Sequence, residues 1–290
     1  MGSEIFRFTP LFLLSEFASG RKQGNEKQNC GISLKYPVVL AHGIAKNDNG
    51  GKAHSWGRIP QILSGYGVNV YFGNTDAWGS VESNSRLLKM AVDKVLKETG
   101  SEKVNLITHS KGGIDSRYFI WKYQYGDRVA SLTTISTPHR GSEIADIICC
   151  HKRTHTKRAQ KRLAAIGKLF GDENPDVYNS ILDLTTAKMN EFNQAVKADN
   201  RVYYQSVYSL INSPLDDPFF LRSYNYIKIM NGDNDGMVSE YSARWGDNII
   251  KIDDCLSHDQ IIDWRVKTSM QNNIPGIYLK ITDDLAGKGF

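Results

Sequence analysis

Cysteine is scarce in this chain of 290 residues: four occur, at positions 30, 149, 150 and 255, with no C-x-x-C spacing among them. They are too few for a disulfide framework and leave the compartment open. Long apolar runs are also missing. The main apolar patch near the start, residues 9–15 (Thr-Pro-Leu-Phe-Leu-Leu-Ser), has no basic flank beyond Arg7. It falls well short of the roughly 20 residues a membrane helix needs, so we expect no transmembrane segment. The protein is expected to be secreted if an export signal has been removed, and cytoplasmic otherwise. Nor does charge of one sign dominate, since 36 Lys and Arg stand against 31 Asp and Glu. The basic residues concentrate between Lys152 and Arg162, which argues against nucleic acid as a partner. There is no internal repeat and no low-complexity segment.

With 40% hydrophobic and 23% charged residues, the chain can bury a full core as one large domain or one domain with an insertion. A polar stretch from Ser19 to Gln28 marks residues 1–35 as an N-terminal extension, with the main domain over 36–290. Pro37-Val-Val-Leu-Ala41 reads as a buried strand ending in His42-Gly43, and Val68–Phe72 as a second strand. Leu88, Ala91, Val92, Val95 and Leu96 then repeat at helical spacing until Gly100 stops the helix. Further strands are expected after Lys103 and at Val129–Ile135, Val202–Tyr208, Tyr226–Met230 and Asn248–Ile252. Short apolar strands separated by helices imply a parallel sheet covered on both faces. Ligand sites in such sheets form beyond the carboxyl ends of strands, where His42-Gly43, Ser110 and Thr137-Pro138 all fall. From about 141 to 200 the strand rhythm gives way to helical patterns, including a helix capped at Thr185-Thr186 and carrying Met189, Phe192 and Val196. An insertion at that edge is positioned to act as a lid.

The segment Lys103-Val-Asn-Leu-Ile-Thr-His-Ser-Lys-Gly-Gly113 is an apolar strand running into a serine flanked by small residues and then into a helix. That is the design of a nucleophile elbow, with Ser110 as nucleophile. Such a serine needs a base, and an acid to orient the base, in the chain order Ser, Asp or Glu, His. His258 is the only one of seven histidines beyond residue 155, and Asp235 lies in the turn-rich Asn231-Gly-Asp-Asn-Asp-Gly236, where Asp233 competes with it. The oxyanion hole is expected from the backbone N–H groups of Lys111 and Ile44. Cys149, Cys150, His151 and His155 offer soft zinc ligands but match no paired-ligand spacing and read as surface residues. The basic run from Lys152, followed by Leu163, Ile166, Leu169 and Phe170, reads as a helix with a solvated cationic face.

Taken together, Tyr36-Pro-Val-Val-Leu-Ala-His-Gly43, the Ser110 segment, Ser136-Thr-Pro-His-Arg-Gly-Ser-Glu-Ile-Ala-Asp146, Phe192-Asn193 and Asn234-Asp-Gly-Met-Val-Ser239 resemble the bacterial triacylglycerol lipases of the Pseudomonas and Burkholderia type, in the α/β-hydrolase superfamily. The collinear match runs from about 36 to 264. The resemblance implies an α/β-hydrolase fold, a mostly parallel central sheet with helices on both faces and a helical lid over about 141–200. It implies ester hydrolysis through an acyl-enzyme, with Ser110, Asp235 and His258 as catalytic residues, Ile44 and Lys111 as oxyanion donors, and contact with a lipid–water interface through the lid. No cofactor is expected for the chemistry. The family's structural calcium near the catalytic histidine would fall to Asp217 or neighbouring Asp216, Asp259 and Asp263. Two departures stand out: Thr108 replaces the usual first glycine of the elbow, and Gln260 occupies the position two residues after the histidine where the family has an aspartate. The expected activity is a lipase acting on acylglycerols or other hydrophobic esters. Beside it stand a short-chain or polyester-type carboxylesterase, an acyltransferase with the same triad and, from another class, a non-catalytic lipid- or protein-binding module.

Overall fold

The computed structural model describes residues 4–6 (main chain only), 31–48, 55–150, 172, 175–265 and 274–290. Its centre is a sheet of seven strands, all paired in parallel: β1 (Glu4–Phe6), β2 (Val38–Ala41), β3 (Val70–Phe72), β4 (Val104–His109), β5 (Val129–Ile135), β6 (Tyr203–Tyr208) and β7 (Asn248–Ile252), in the order β1-β7-β6-β5-β4-β2-β3. The central strands β2, β4 and β5 are buried along their whole length, because helices cover both faces. Successive side chains on a strand point to opposite faces, so each strand feeds two cores. Val38 and Leu40 of β2 pack with Ile59 and Leu63 of α1 (Ile59–Gly65) and with Ile277 and Ile281 of α9 (Ile274–Gly287). Val39 and Ala41 pack on the other face, with Leu88 and Val92 of α2 (Val81–Thr99) and Phe119 of α3 (Lys111–Tyr123). Fully burying a leucine such as Leu40 contributes about 1.5–3 kcal/mol.

The periodicity at Leu88–Leu96 forms α2. Ser80 caps its first turn by accepting from the Ser83 N–H at 3.2 Å, and Gly100 ends it in the left-handed region at φ 68°. Between β5 and β6 lie α4 (Glu143–Cys150), α5 (Val177–Leu182) and α6 (Thr186–Ala195). Thr185 caps α6 as expected, accepting from the Lys188 N–H, while Val196 closes the helix outside its last turn. Past β6 come α7 (Leu221–Asn231) and α8 (Glu240–Ala243).

Three expectations change. Tyr226–Met230 is not a strand but the end of α7. Its apolar residues read as a strand by composition, yet Tyr224 and Ile227 point inward at helical spacing while Ile229 stays 83% exposed. The second strand begins at Val70 rather than Val68. Glu4–Phe6, within the stretch set apart as an N-terminal extension, adds a short parallel ladder to β7. The basic stretch from Lys152, including Leu163 to Phe170, lies outside the described residues, as do His151 and His155.

Candidate active site

β4 turns into α3 at Ser110, whose φ of 54° and ψ of −127° are strained for a residue with a side chain. The bend requires close packing behind it. A Cβ on Gly112 would come within 2.5 Å of the His42 carbonyl oxygen, and one on Gly43 within 2.7 Å of the Ser110 Cβ, so both positions exclude larger residues. Thr108, which replaces a glycine of the usual motif, lies two residues before Ser110 on β4, where its hydroxyl donates to the Thr133 carbonyl at 3.3 Å. The Ser110 N–H donates to the Ile135 carbonyl and the Thr137 hydroxyl to the Ser110 carbonyl, both at 2.9 Å, which pins the bend to β5.

Ser110 Oγ lies 3.0 Å from Nε2 of His258, and Nδ1 of His258 lies 2.8 Å from Oδ2 of Asp235. All three side chains are almost entirely buried. Asp235 is itself fixed: its Oδ1 accepts the Met237 and Val238 N–H groups at 2.9 and 2.8 Å, and its carbonyl accepts the His258 N–H at 2.9 Å. Asp233 is exposed and paired with Lys228. Asp235 therefore sits on a loop that follows a helix rather than a strand, and still meets the histidine. Burial pushes the His258 ring toward its neutral form, but the charge and hydrogen bond of Asp235, aided by Asp259, outweigh it and raise its pKa above 6.5.

His109, which the sequence did not single out, is also part of the site. Its Nε2 donates to the His258 carbonyl at 2.9 Å, the two rings are 4.6 Å apart, and burial, then the neighbouring His258, holds its pKa well below 6.5. Adjacency to Ser110 was the only signal available. Lys111 opens α3, and N–H groups in the first turn of a helix lack partners within it. Its ammonium is buried against Asp115 at 2.6 Å, and Asn84 donates to the same carboxylate at 3.1 Å. Burial, only partly offset by Lys111 and Asn84, raises the Asp115 pKa to about 6. Ile44 lies three residues past the end of β2 and faces the same cavity as Ser110.

That cavity has a volume of about 560 Å3 and is mostly apolar. Ile144, Ala145 and Ile148 from α4, with Ile181 and Leu184, form part of its wall. Trp78, Phe219, Phe220, Met237, Val238 and Trp264 add further apolar surface around Ser110 and His258. Among the described residues no helix is long and apolar enough to cross a membrane.

The aspartates expected to bind calcium do not converge on one point. Asp217 and Asp259 share Arg265, whose Nη2 lies 3.0 and 3.1 Å from their oxygens, whereas Asp263 accepts from the Arg58 N–H and guanidinium at 2.6–2.8 Å. Asp216 accepts the Asn212 and Ser213 N–H groups at 2.9 Å. Calcium prefers six to eight oxygens around one ion, and this donor set, already divided between two arginines, does not fit it. Among the described residues no group of three or more His, Cys, Asp and Glu side chains could hold a metal ion, and Cys150 and Cys255 are free thiols.

A parallel sheet with a serine raised on a strand-to-helix bend, and an aspartate and a histidine brought to it from later loops, defines an α/β-hydrolase. The palmitoyl protein thioesterase family matches residues 37–254. Triacylglycerol lipase 2 of Saccharomyces cerevisiae is 30% identical over 256 residues, covering 81% of this chain and 74% of the yeast protein. A triacylglycerol lipase of Vibrio cholerae is 30% identical over 275 residues, covering 86% and 87%. Among solved structures, the Staphylococcus hyicus lipase superposes with a TM-score of 0.68 over 91% of this chain and 98% of its own, at 18% identity, which speaks to the fold. The chain belongs to the palmitoyl protein thioesterase family, has triacylglycerol lipases among its relatives, and is a carboxylic ester hydrolase.

Proposed function

We propose that this protein is a lipase that cleaves hydrophobic acyl esters through an acyl-enzyme on Ser110. The observation that carries the reading is the chain of two hydrogen bonds, Ser110 to His258 at 3.0 Å and His258 to Asp235 at 2.8 Å, opening into an apolar cavity of about 560 Å3. Ser110 Oγ attacks the ester carbonyl as His258 Nε2 takes its proton. Asp235 holds the Nδ1–H tautomer and offsets the charge on the imidazolium. The N–H groups of Lys111 and Ile44 receive the oxyanion, a contribution worth on the order of a hundredfold or more per donor. His258 then protonates the leaving alcohol as the C–O bond breaks. Water, deprotonated by the same nitrogen, releases the acid. The acyl chain lies among the apolar walls, and α4 to α6 act as a lid that meets a lipid surface.

A second reading, thioester cleavage, is favoured by the match to the palmitoyl protein thioesterase family. The same nucleophile would serve, since a thiolate leaves more readily than an alkoxide, so the two differ only in how the alcohol or thiol side is received. p-Nitrophenyl esters of increasing chain length, run beside palmitoyl thioesters of a small thiol, test both. We expect ester turnover with a long-chain optimum, fluorophosphonate labelling of Ser110, and a loss of roughly 10⁴-fold or more in Ser110→Ala. Equal turnover in that variant would remove the serine mechanism, and a thioester rate far above the ester rate would favour the second reading.

A further inference from the structure

We infer that Arg265, assisted by Lys46, serves as a built-in cation that braces the His258 loop at the place where the resemblance implied a structural calcium, and that this enzyme is therefore indifferent to calcium. The inference rests on the proposed role of His258 only for its kinetic arm.

Two mostly buried carboxylates flank this loop. Asp217 accepts from the Ser257 hydroxyl at 2.7 Å, one residue before the histidine, and Asp259 follows it directly. Left alone, two such carboxylates would repel each other and pay heavily for leaving water. Arg265 answers both, with one Nη2 within 3.1 Å of an oxygen on each. Lys46 takes the remaining oxygen of Asp259 at 3.4 Å. Two cations against two carboxylates leave the cluster neutral, so a divalent ion entering it would meet a balanced site with two positive neighbours.

Neither cation is loosely placed. The Arg265 guanidinium stacks 4.0 Å above the Phe219 ring and 5.0 Å from that of Trp264, and its backbone is held in the left-handed region at φ 58°. Lys46 lies 3.1 Å over the Trp264 ring, and burial, opposed by Asp259, lowers its pKa. Phe219, Trp264 and Lys46 also line the cavity, so the brace joins the pocket wall to the base. Arg265 is thus a positioning residue, acting on the reaction only through His258.

The test uses the full chain. Thermal melts with excess chelator and with added calcium should coincide with the untreated protein. Arg265→Ala should lower Tm by about 5 °C or more, and Arg265→Lys, which keeps the charge but not the fork, should fall between. In Arg265→Ala, Asp259 loses one of its two cationic partners, so the acid limb of kcat/KM should move to higher pH. A wild-type Tm that drops with chelator and returns with calcium would overturn the proposal, and this measurement stands even if Arg265→Ala fails to fold. So would an Arg265→Ala protein with wild-type Tm. A lowered Tm with an unmoved acid limb would keep the brace and instead count against His258 as the base.

Discussion

At Ser110 the strain of the bend, the short contact to His258 and the anchored carboxylate of Asp235 all serve one proton transfer: a neutral imidazole takes the serine proton, and Asp235 offsets the charge the ring then carries. With its pKa raised above 6.5, His258 is charged and inactive at low pH, so kcat/KM should climb with pH through a midpoint above 6.5. Asp235→Asn removes both the opposite charge and the hydrogen bond that raise it, so the midpoint should fall. The rate should fall too, by roughly 10³–10⁴-fold, because the wrong tautomer is favoured. Asp233→Asn should change little, as that side chain is spent on Lys228. A larger loss at Asp233, or an upward shift in Asp235→Asn, would reject the assignment. His109 adds no second titration near neutrality, being held well below 6.5. Ser110, Asp235 and His258 were legible because chain order constrains this chemistry and the histidine had no late competitor. His109 and Arg265 were not, since their roles depend on contacts that no local pattern encodes.

Elements were legible where their period was long. The apolar repeat of α2 and the continuous runs of β4 and β5 could be read directly, but an element of three residues such as β1 has no period to show, and α7 hid behind β-branched and aromatic residues. Helix α3 shows how an element carries the site. Its first turn offers N–H groups at Lys111, while one turn later Asp115 binds the Lys111 ammonium, a pairing of positions four apart on one helix face. Both groups are out of water, so breaking the pair is costly. We expect Asp115→Ala to destabilise the protein by about 3–5 kcal/mol in urea unfolding, because an uncompensated ammonium is left behind. Adding Lys111→Met should recover most of that loss. A single variant within about 1 kcal/mol of wild type would show that solvent or another partner relieves Lys111.

On the scale of the whole molecule, the order of the strands sends every site residue to one edge of the sheet, and the chain between β5 and β6 is free to grow over that edge. The sequence revealed this insertion as a break in strand rhythm but not the cavity beneath it, whose walls come from α4, the segment around Leu184, the loop at Trp78 and the Phe219 turn, far apart in the chain. Ile148 and Phe219 line the cavity and are also exposed, at 38% and 70%, so its mouth is apolar on the outside as well. Such a rim is poorly solvated in water and gains by touching a lipid surface. If α4 to α6 act as a lid, an interface favours the open form, and turnover per molecule should depend on the physical state of the substrate. With a sparingly soluble triglyceride, the rate should rise steeply as its concentration crosses the solubility limit, and mild detergent should raise turnover of a dissolved ester. A smooth saturating curve through the limit would instead make these helices fixed walls of the pocket, and the enzyme an esterase whose apolar rim binds substrate without moving.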